Sequence, residues 1–184
     1  MSKSKSKRRT VPKNETRPKK IVSNPLVAKV TRDSVWFDFH SKDWLSSVRI
    51  RDNQYTNFLA NKDEYLKNHF NLFHSIIPKI IAEWQMIIPS SGRHPYKHCH
   101  MLRDEKKELA RKVYKEIHKH ELSEDMNIWQ FGFTGSIRLI CLYLDKEKAL
   151  IPVFIDHHHL IYDNLKYNQD NYSKYNYCII CDHI

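Results

Sequence analysis

Glycine is scarce in this chain of 184 residues, which contains only Gly92, Gly132 and Gly135. Glycine-rich phosphate loops and dinucleotide-binding loops need several glycines at fixed spacing, so the sequence excludes both kinds of nucleotide site. It also lacks any run of about 18 apolar residues, which excludes a membrane-spanning helix. The first residues include no apolar stretch, so we expect no secretory signal and a cytoplasmic location.

Cysteine is also sparse, and there are four in all: Cys99, Cys141, Cys178 and Cys181. Thiols stay reduced in the cytoplasm. We therefore expect free thiols or metal ligands rather than disulfides.

Acidic residues are nearly missing from the first 20 positions. This segment holds nine of the 31 Lys and Arg residues but only one of the 21 Asp and Glu residues. Its net charge is +8, which leaves +2 for the rest of a chain whose total is +10. With almost nothing to bury, residues 1–20 are predicted to form a disordered basic tail that attracts nucleic acid in a salt-dependent way. Residues 21–184 are predicted to form a single domain.

The first half of that domain has one strand pattern and two helix patterns. Val35–His40 is rich in aromatic residues and predicts a strand. After the N-cap residue Asn61, apolar residues recur at steps of three and four, at Leu66, Phe70, Phe73, Ile77, Ile80, Trp84 and Ile87. Pro78 lies inside this stripe, so we expect a kink, or two helices that meet near residues 75–78. Residues 104–122 predict a further helix.

The second half has three apolar segments, Ile128–Thr134, Ser136–Leu144 and Leu150–Tyr162. Gly135 separates the first two, and the polar turn Asp145–Lys148 separates the last two. This order predicts an α+β fold in which an antiparallel β-sheet meander packs against two or three helices on one face of the sheet. Tyr177–Cys181 is a candidate last strand.

Arg138 lies on the middle segment of this meander. Strand alternation places Arg138 with Ile140 and Leu142 on one face and Leu139 and Cys141 on the other, so both faces are apolar. A guanidinium in such a strand needs an anion, because arginine cannot lose its proton. Two interpretations stay open, an internal ion pair with Asp156 and an anchor for a phosphate group.

Three consecutive histidines follow Asp156. On a strand their side chains alternate between faces, so His157, His158 and His159 cannot all bind one metal ion. They are either a solvated strand end or a source of one catalytic imidazole, for which His159 is the best candidate.

Two further clusters contain histidine or cysteine. His98 and His100 flank Cys99, and Cys178 and Cys181 have the two-residue gap of a zinc site. A strand at Cys178–Cys181 separates the two thiols, so buried or free thiols are the favoured interpretation and a zinc site of Cys178, Cys181, His98 and His100 is the alternative. His98 and His100 are also candidates for a catalytic loop.

The segments Gly135–Tyr143, Asp145–Lys148 and Ile151–His157, with their central arginine, resemble the RelE/ParE-like toxin superfamily. The resemblance implies metal-independent cleavage of messenger RNA on the ribosome, without a cofactor, and an antitoxin protein as a possible partner. It assigns phosphate binding to Arg138 and proton transfer to His157 or His159, beside Asp156. Tyr143, Tyr162, His98 and His100 are then candidate substrate contacts.

A different class of function fits the same composition. The chain is then a non-enzymatic accessory protein of a mobile element, which binds nucleic acid through its tail and a protein partner through its sheet. In that case substitutions at Arg138 and His159 are expected to have little effect on the binding of nucleic acid.

Overall fold

Four stretches of the chain carry the structural description. The computed structural model describes residues 34–50, 55–88, 95–163 and 171–183. All of them belong to one unit that begins at Arg32. The basic tail predicted at residues 1–20 lies outside the described residues.

A five-stranded sheet forms the centre of this unit. Its strands are β1 (Trp36–Phe37), β4 (His100–Met101), β5 (Ile128–Phe131), β6 (Arg138–Leu144) and β7 (Ala149–Asp156), and they lie in the order β1-β7-β6-β5-β4. The pairs β4–β5, β5–β6 and β6–β7 are antiparallel, which confirms the predicted meander. β1 pairs in parallel with β7 and is shorter than predicted. Two short strands, β2 (Arg49–Ile50) and β3 (Tyr55–Thr56), form a separate hairpin.

Helices cover both faces of the sheet, so the prediction of helices on one face was wrong. On one face, Leu139 and Cys141 pack with helix α2 (Ile77–Ile87). On the other, Ile140 and Leu142 pack with helix α3 (Asp104–His118). The alternation predicted for β6 is thus present. A strand that is apolar on both faces must be covered on both, which is the physical reason for the third layer.

The helical stripe is interrupted where a break was expected. Helix α1 (Lys62–Asn71) runs into a π-helical segment, Leu72–Ile76, before α2 begins. The amide of Ile77 donates to the carbonyl of Leu72, five residues back, and Pro78 lies in the first turn of α2. This wider turn changes the register of the buried face.

The change of register exposes part of the predicted stripe. The four residues of α2 in the stripe are buried, as the pattern indicates. Leu66, Phe70 and Phe73 are instead at least half exposed, and Asn68 and Leu72 point to the core. The prediction that all seven positions share one apolar stripe was therefore wrong for the three residues before α2.

Two other ends differ from prediction. α3 stops at His118 rather than residue 122, because Lys119 adopts a left-handed conformation with φ of 62°. Residues 179–183 form a short helix, α4 (Ile179–His183), in place of the expected strand, and Tyr177 forms only an isolated bridge with Leu59. Among the helices in the described part of the chain, none combines the length and apolarity needed to cross a membrane.

Candidate functional site

The candidate site lies at one end of the sheet, where β5 ends, β6 begins and β7 ends. Arg138, the first residue of β6, is directly opposite Asp156, the last residue of β7. Gly132 follows β5 immediately. Arg138 is 4% exposed and Asp156 is fully buried, so two opposite charges lie inside the protein at this edge.

Asp156 shapes the loop that follows β7. Its carboxylate accepts hydrogen bonds from the amides of His158 (3.2 Å), Leu160 (3.0 Å) and Ile161 (2.8 Å). Burial raises the pKa of Asp156, and these hydrogen bonds oppose that shift. The carboxylate thereby holds the loop in the turn that gives His159 its left-handed φ of 60°.

Arg138 extends across Gly132 and does not pair directly with Asp156. Its Nη1 donates to the carbonyls of Gly135 (2.7 Å) and Ile137 (2.9 Å). A Cβ atom at position 132 would lie within 2.9 Å of Arg138 Nε and closer still to Cδ, so only glycine leaves room for this path. Nε is buried and has no hydrogen-bond partner among the described residues.

The guanidinium of Arg138 is charged although it has no close carboxylate. Within the described residues, no carboxylate oxygen lies at salt-bridge distance from it. The internal ion pair with Asp156 was therefore the wrong interpretation, although the two charges still attract. Burial lowers the pKa of Arg138, and the charge of Asp156 opposes this shift. The guanidinium stays charged, because an arginine side chain does not lose its proton in proteins.

Two imidazoles meet beside Arg138. The ring centroids of His98 and His159 are 6.0 Å apart and the rings are perpendicular; we call these residues the open pair. His98 is exposed and His159 is half-buried. Burial, followed by the charge of Arg138, lowers the pKa of His159 to about 4. The same two causes lower the pKa of His98. The open pair is therefore uncharged near neutral pH.

A second ring contact continues the site away from Arg138. The rings of His100 and Tyr162 are 5.1 Å apart and perpendicular. Both residues line a cavity of about 500 Å³. Because His100 follows His98 by two residues and Tyr162 follows His159 by three, the same two chain segments form the open pair and the wall of the cavity.

The other two histidines of the run lie elsewhere. His157 is buried, and its Nδ1 is 3.3 Å from Nδ2 of Asn68, while its ring centroid is 5.9 Å from that of His69. We call His157 and His69 the closed pair. His158 Nε2 donates to the carbonyl of Phe58 at 2.7 Å. Three successive histidines thus have three different surroundings, and only His159 lies with His98.

Tyr143 is not part of this site. Its hydroxyl donates to the carboxylate of Asp145 at 3.1 Å, at the opposite end of β6. Tyr143 lies five positions along the strand from Arg138, a distance of about 17 Å.

The cysteines follow the prediction in two positions and contradict it in two. Cys99 and Cys141 are free and buried, as expected. Cys178 and Cys181 are joined by a disulfide, because the helical turn at α4 brings their Cα atoms to 5.3 Å, where a strand would have separated the side chains. In the described stretches, no three His, Cys, Asp or Glu side chains are arranged to hold a metal ion. Histidines 98 and 100 are therefore not joined by these two sulfurs in a zinc site.

The predicted site residues did not include Gly132, Arg103 or Trp129. The rarity of glycine was the available signal for Gly132, whose contact with the buried Arg138 is visible only in the structure. Arg103 and Trp129 line the cavity with His100 and Tyr162, and nothing in the local pattern singles them out.

A known protein family matches the part of the chain that contains all of these positions. The sequence model of the family described as "Uncharacterised protein UU032" matches residues 40–183. The chain belongs to the UU032 family. A UU032 protein of Ureaplasma parvum serovar 3 is 28% identical over 165 residues, which cover 90% of each chain. No solved structure matches the chain. Every residue of the candidate site falls within the segment that defines the UU032 family.

Proposed function

We propose that this protein is a RelE-like endoribonuclease that acts on RNA in the cytoplasm, using imidazoles rather than a metal ion. The supporting observation is the open pair, two neutral imidazoles 6.0 Å apart beside a buried guanidinium that has no close carboxylate. Imidazole suits proton transfer because it titrates near neutrality. A fixed positive charge beside it suits a reaction at a phosphodiester.

In the proposed reaction, His159 accepts the proton of a 2′-hydroxyl as that oxygen attacks the adjacent phosphorus. The bond from phosphorus to the 5′-oxygen breaks, and His98 donates a proton to this leaving oxygen. The products are a 2′,3′-cyclic phosphate and a 5′-hydroxyl. The bound phosphate is negative, so it raises the pKa of both imidazoles and allows His98 to enter the reaction protonated. Proton exchange with water then restores both rings.

Arg138 contributes through its charge. With 4% of its surface exposed, the guanidinium acts across a short distance on the reacting phosphate and on the imidazoles. Its hydrogen bonds to the carbonyls of Gly135 and Ile137 fix this charge in position. The low dielectric of the interior increases its effect on charge that develops in the transition state.

The proposed partners follow from charge and from the superfamily resemblance. The basic segment 1–20 provides salt-dependent attraction to RNA or to the ribosome. An antitoxin protein remains a prediction of the resemblance.

The test uses the full-length protein, purified without a histidine tag. A single-stranded oligoribonucleotide should be cleaved in the presence of EDTA, with a cyclic phosphate detected by mass spectrometry. The same oligomer with deoxyribose should stay intact because it lacks the attacking hydroxyl. His159→Gln and His98→Gln should each lower the cleavage rate at least about 100-fold.

The matched control is His120→Gln. His120 is exposed and contacts Tyr114 rather than the open pair, so this variant should cleave at the rate of the parent protein. Equal cleavage by the His98, His159 and His120 variants, or none by the parent, contradicts the proposal.

The accessory function is the second candidate, and one observation favours it. The aromatic residues Phe39, Phe70 and Phe73 are about half exposed or more, and the rings of Phe39 and Phe73 are 6.5 Å apart. Exposed apolar patches often mark protein contacts. RNA binding that depends on residues 1–20, together with no cleavage by any variant, supports this alternative.

A further inference from the structure

We propose that the cavity beside the open pair binds the base of one unpaired nucleotide, which makes the proposed enzyme selective for single-stranded RNA. This inference rests on the proposed function for the identity of the polymer. It assigns a ligand to a cavity formed by His100, Arg103, Trp129 and Tyr162, with Ile88 and Met101 as its apolar part.

The position of the cavity supports a nucleotide neighbouring the reacting phosphate. The chain segment of His98 continues into His100, and the loop of His159 continues into Tyr162. The first members of these segments are in ring contact at 6.0 Å and the second members at 5.1 Å. A strand of RNA with a phosphate at the open pair therefore has an adjoining nucleoside at the cavity.

The chemistry of the cavity supports a flat and negatively charged ligand. Trp129 and Tyr162 provide aromatic surface, on which a base can stack with about 1–3 kcal/mol. Arg103 is exposed and can contact a phosphate or stack on a base. Lys97 fixes the ring of His100, because its carbonyl accepts a hydrogen bond from Nδ1 at 3.0 Å. Among the described residues no carboxylate lines this cavity, although the charge of Asp104 acts on Tyr162.

Size distinguishes an unpaired base from a paired one. The cavity volume of about 500 Å³ lies in the range of small-molecule sites. A paired base is stacked inside its duplex and cannot enter, whereas the bases of loops and ends can turn outward onto aromatic side chains. The cavity is therefore expected to reject duplex RNA.

An ion pair lies beside Tyr162. Lys106 pairs with Asp163 at 3.1 Å and its ammonium lies 5.7 Å from the ring centre of Tyr162. Burial raises the pKa of Tyr162, so its hydroxyl is protonated at neutral pH and can donate to a base.

The experiment measures binding without cleavage. A single-stranded oligomer with one 2′-deoxy residue at the scissile position is titrated into the full-length protein, and tryptophan fluorescence reports the Kd. An abasic site next to that position, or a complementary strand, should each weaken binding at least about fivefold, the loss of one stacked base. Tyr162→Ala should weaken binding of the 2′-deoxy oligomer that keeps this base by the same factor. It should not weaken binding of the abasic oligomer any further.

Arg103→Gln provides a second variant that preserves the fold, because Arg103 is exposed. It should weaken binding by about threefold or more, whereas Lys67→Gln, the same charge change on exposed α1, should not. Equal affinities for intact, abasic and duplex oligomers overturn the inference even if the protein cleaves RNA. Selective binding of the intact single-stranded oligomer without cleavage overturns the proposed function but supports the proposed base site.

Discussion

Two histidine pairs use the same side chain in opposite ways. The open pair, His98 and His159, lies at the end of the sheet, and the same two chain segments continue into the wall of a cavity. The closed pair consists of His69, which belongs to α1, and His157, which is buried and contacts Asn68. His157 and His159 are only two residues apart in the chain. Their different surroundings therefore arise from the turn between them and not from residue type.

Burial and accessibility therefore decide what each of these histidines can do. Burial lowers the pKa of His157 well below its usual range, and its ring lies against Asn68 and His69 inside the protein. Burial and the charge of Arg138 lower the pKa of His159, but this ring adjoins an exposed imidazole with which it can share proton transfer. The closed pair can contribute to stability and the open pair to chemistry.

Asp156 is the residue on which both pairs depend, so Asp156→Ala should have the largest effect. The change leaves three amides, two of them buried, without their acceptor, and we expect a loss of about 3 to 5 kcal/mol in the free energy of unfolding. Urea denaturation measures this loss. Asp163→Ala removes an exposed carboxylate that pairs with Lys106 and should cost less than about 1 kcal/mol. Similar losses for the two variants would show that Asp156 does not organise the loop.

Gly132→Ala should disturb the open pair alone. The new methyl group collides with the side chain of Arg138, and we expect a loss of about 1 to 3 kcal/mol by overpacking. In NMR spectra, the ring signals of His98 and His159 should shift and that of His157 should stay in place. Thr134→Ala, an exposed change in the same loop, is the control and should leave all three signals unchanged.

The smallest expected effect is on the pH dependence of stability, to which the closed pair should contribute more than the open pair. The folded pKa of His157 is below that of the unfolded chain, so the unfolded state binds a proton first as the pH falls below about 6.5. Stability is then lost towards lower pH, by at most about 1.4 kcal/mol per pH unit for one group. His157→Gln should reduce this slope between pH 6.5 and 5.5 in urea titrations.

His98→Gln is the control for this measurement. His98 is exposed, so its removal should change the acid slope much less than the removal of His157. A larger change at His98 than at His157 would contradict the assignment of open and closed pairs.

Much of the fold was predictable from local pattern. The alternation of β6, the turn at residues 145–148 and the N-cap at Asn61 each depend on neighbours within a few residues. Predictions were wrong where the helix geometry changed along the chain, as for Leu66, Phe70 and Phe73. There the π-helical segment changed which side of α1 is buried. The spacing of apolar residues does not predict a π-helical turn, so it could not predict this change.

The candidate site was predictable in part. Arg138 and His159 were selected because a guanidinium on an apolar strand and an imidazole at a strand end are unusual. His98 was a candidate without a partner, since its position beside His159 depends on the register of β4 against β5. Cys178 and Cys181 were misassigned because a three-residue spacing separates side chains on a strand and joins them on a helical turn.

Local sequence was enough to predict the basic composition of residues 1–20, the central apolar strand with its arginine, and the antiparallel order of the three strands of the meander. These properties follow from composition and from short-range periodicity, which fold and solvent do not alter. Tertiary structure alone decided that Asp156 turns to backbone amides instead of to Arg138, that Gly132 makes way for the guanidinium, and that His159 meets His98. The contact of His159 with His98 joins two distant chain segments, and the positions of Asp156 and Arg138 depend on how β5, β6 and β7 pair.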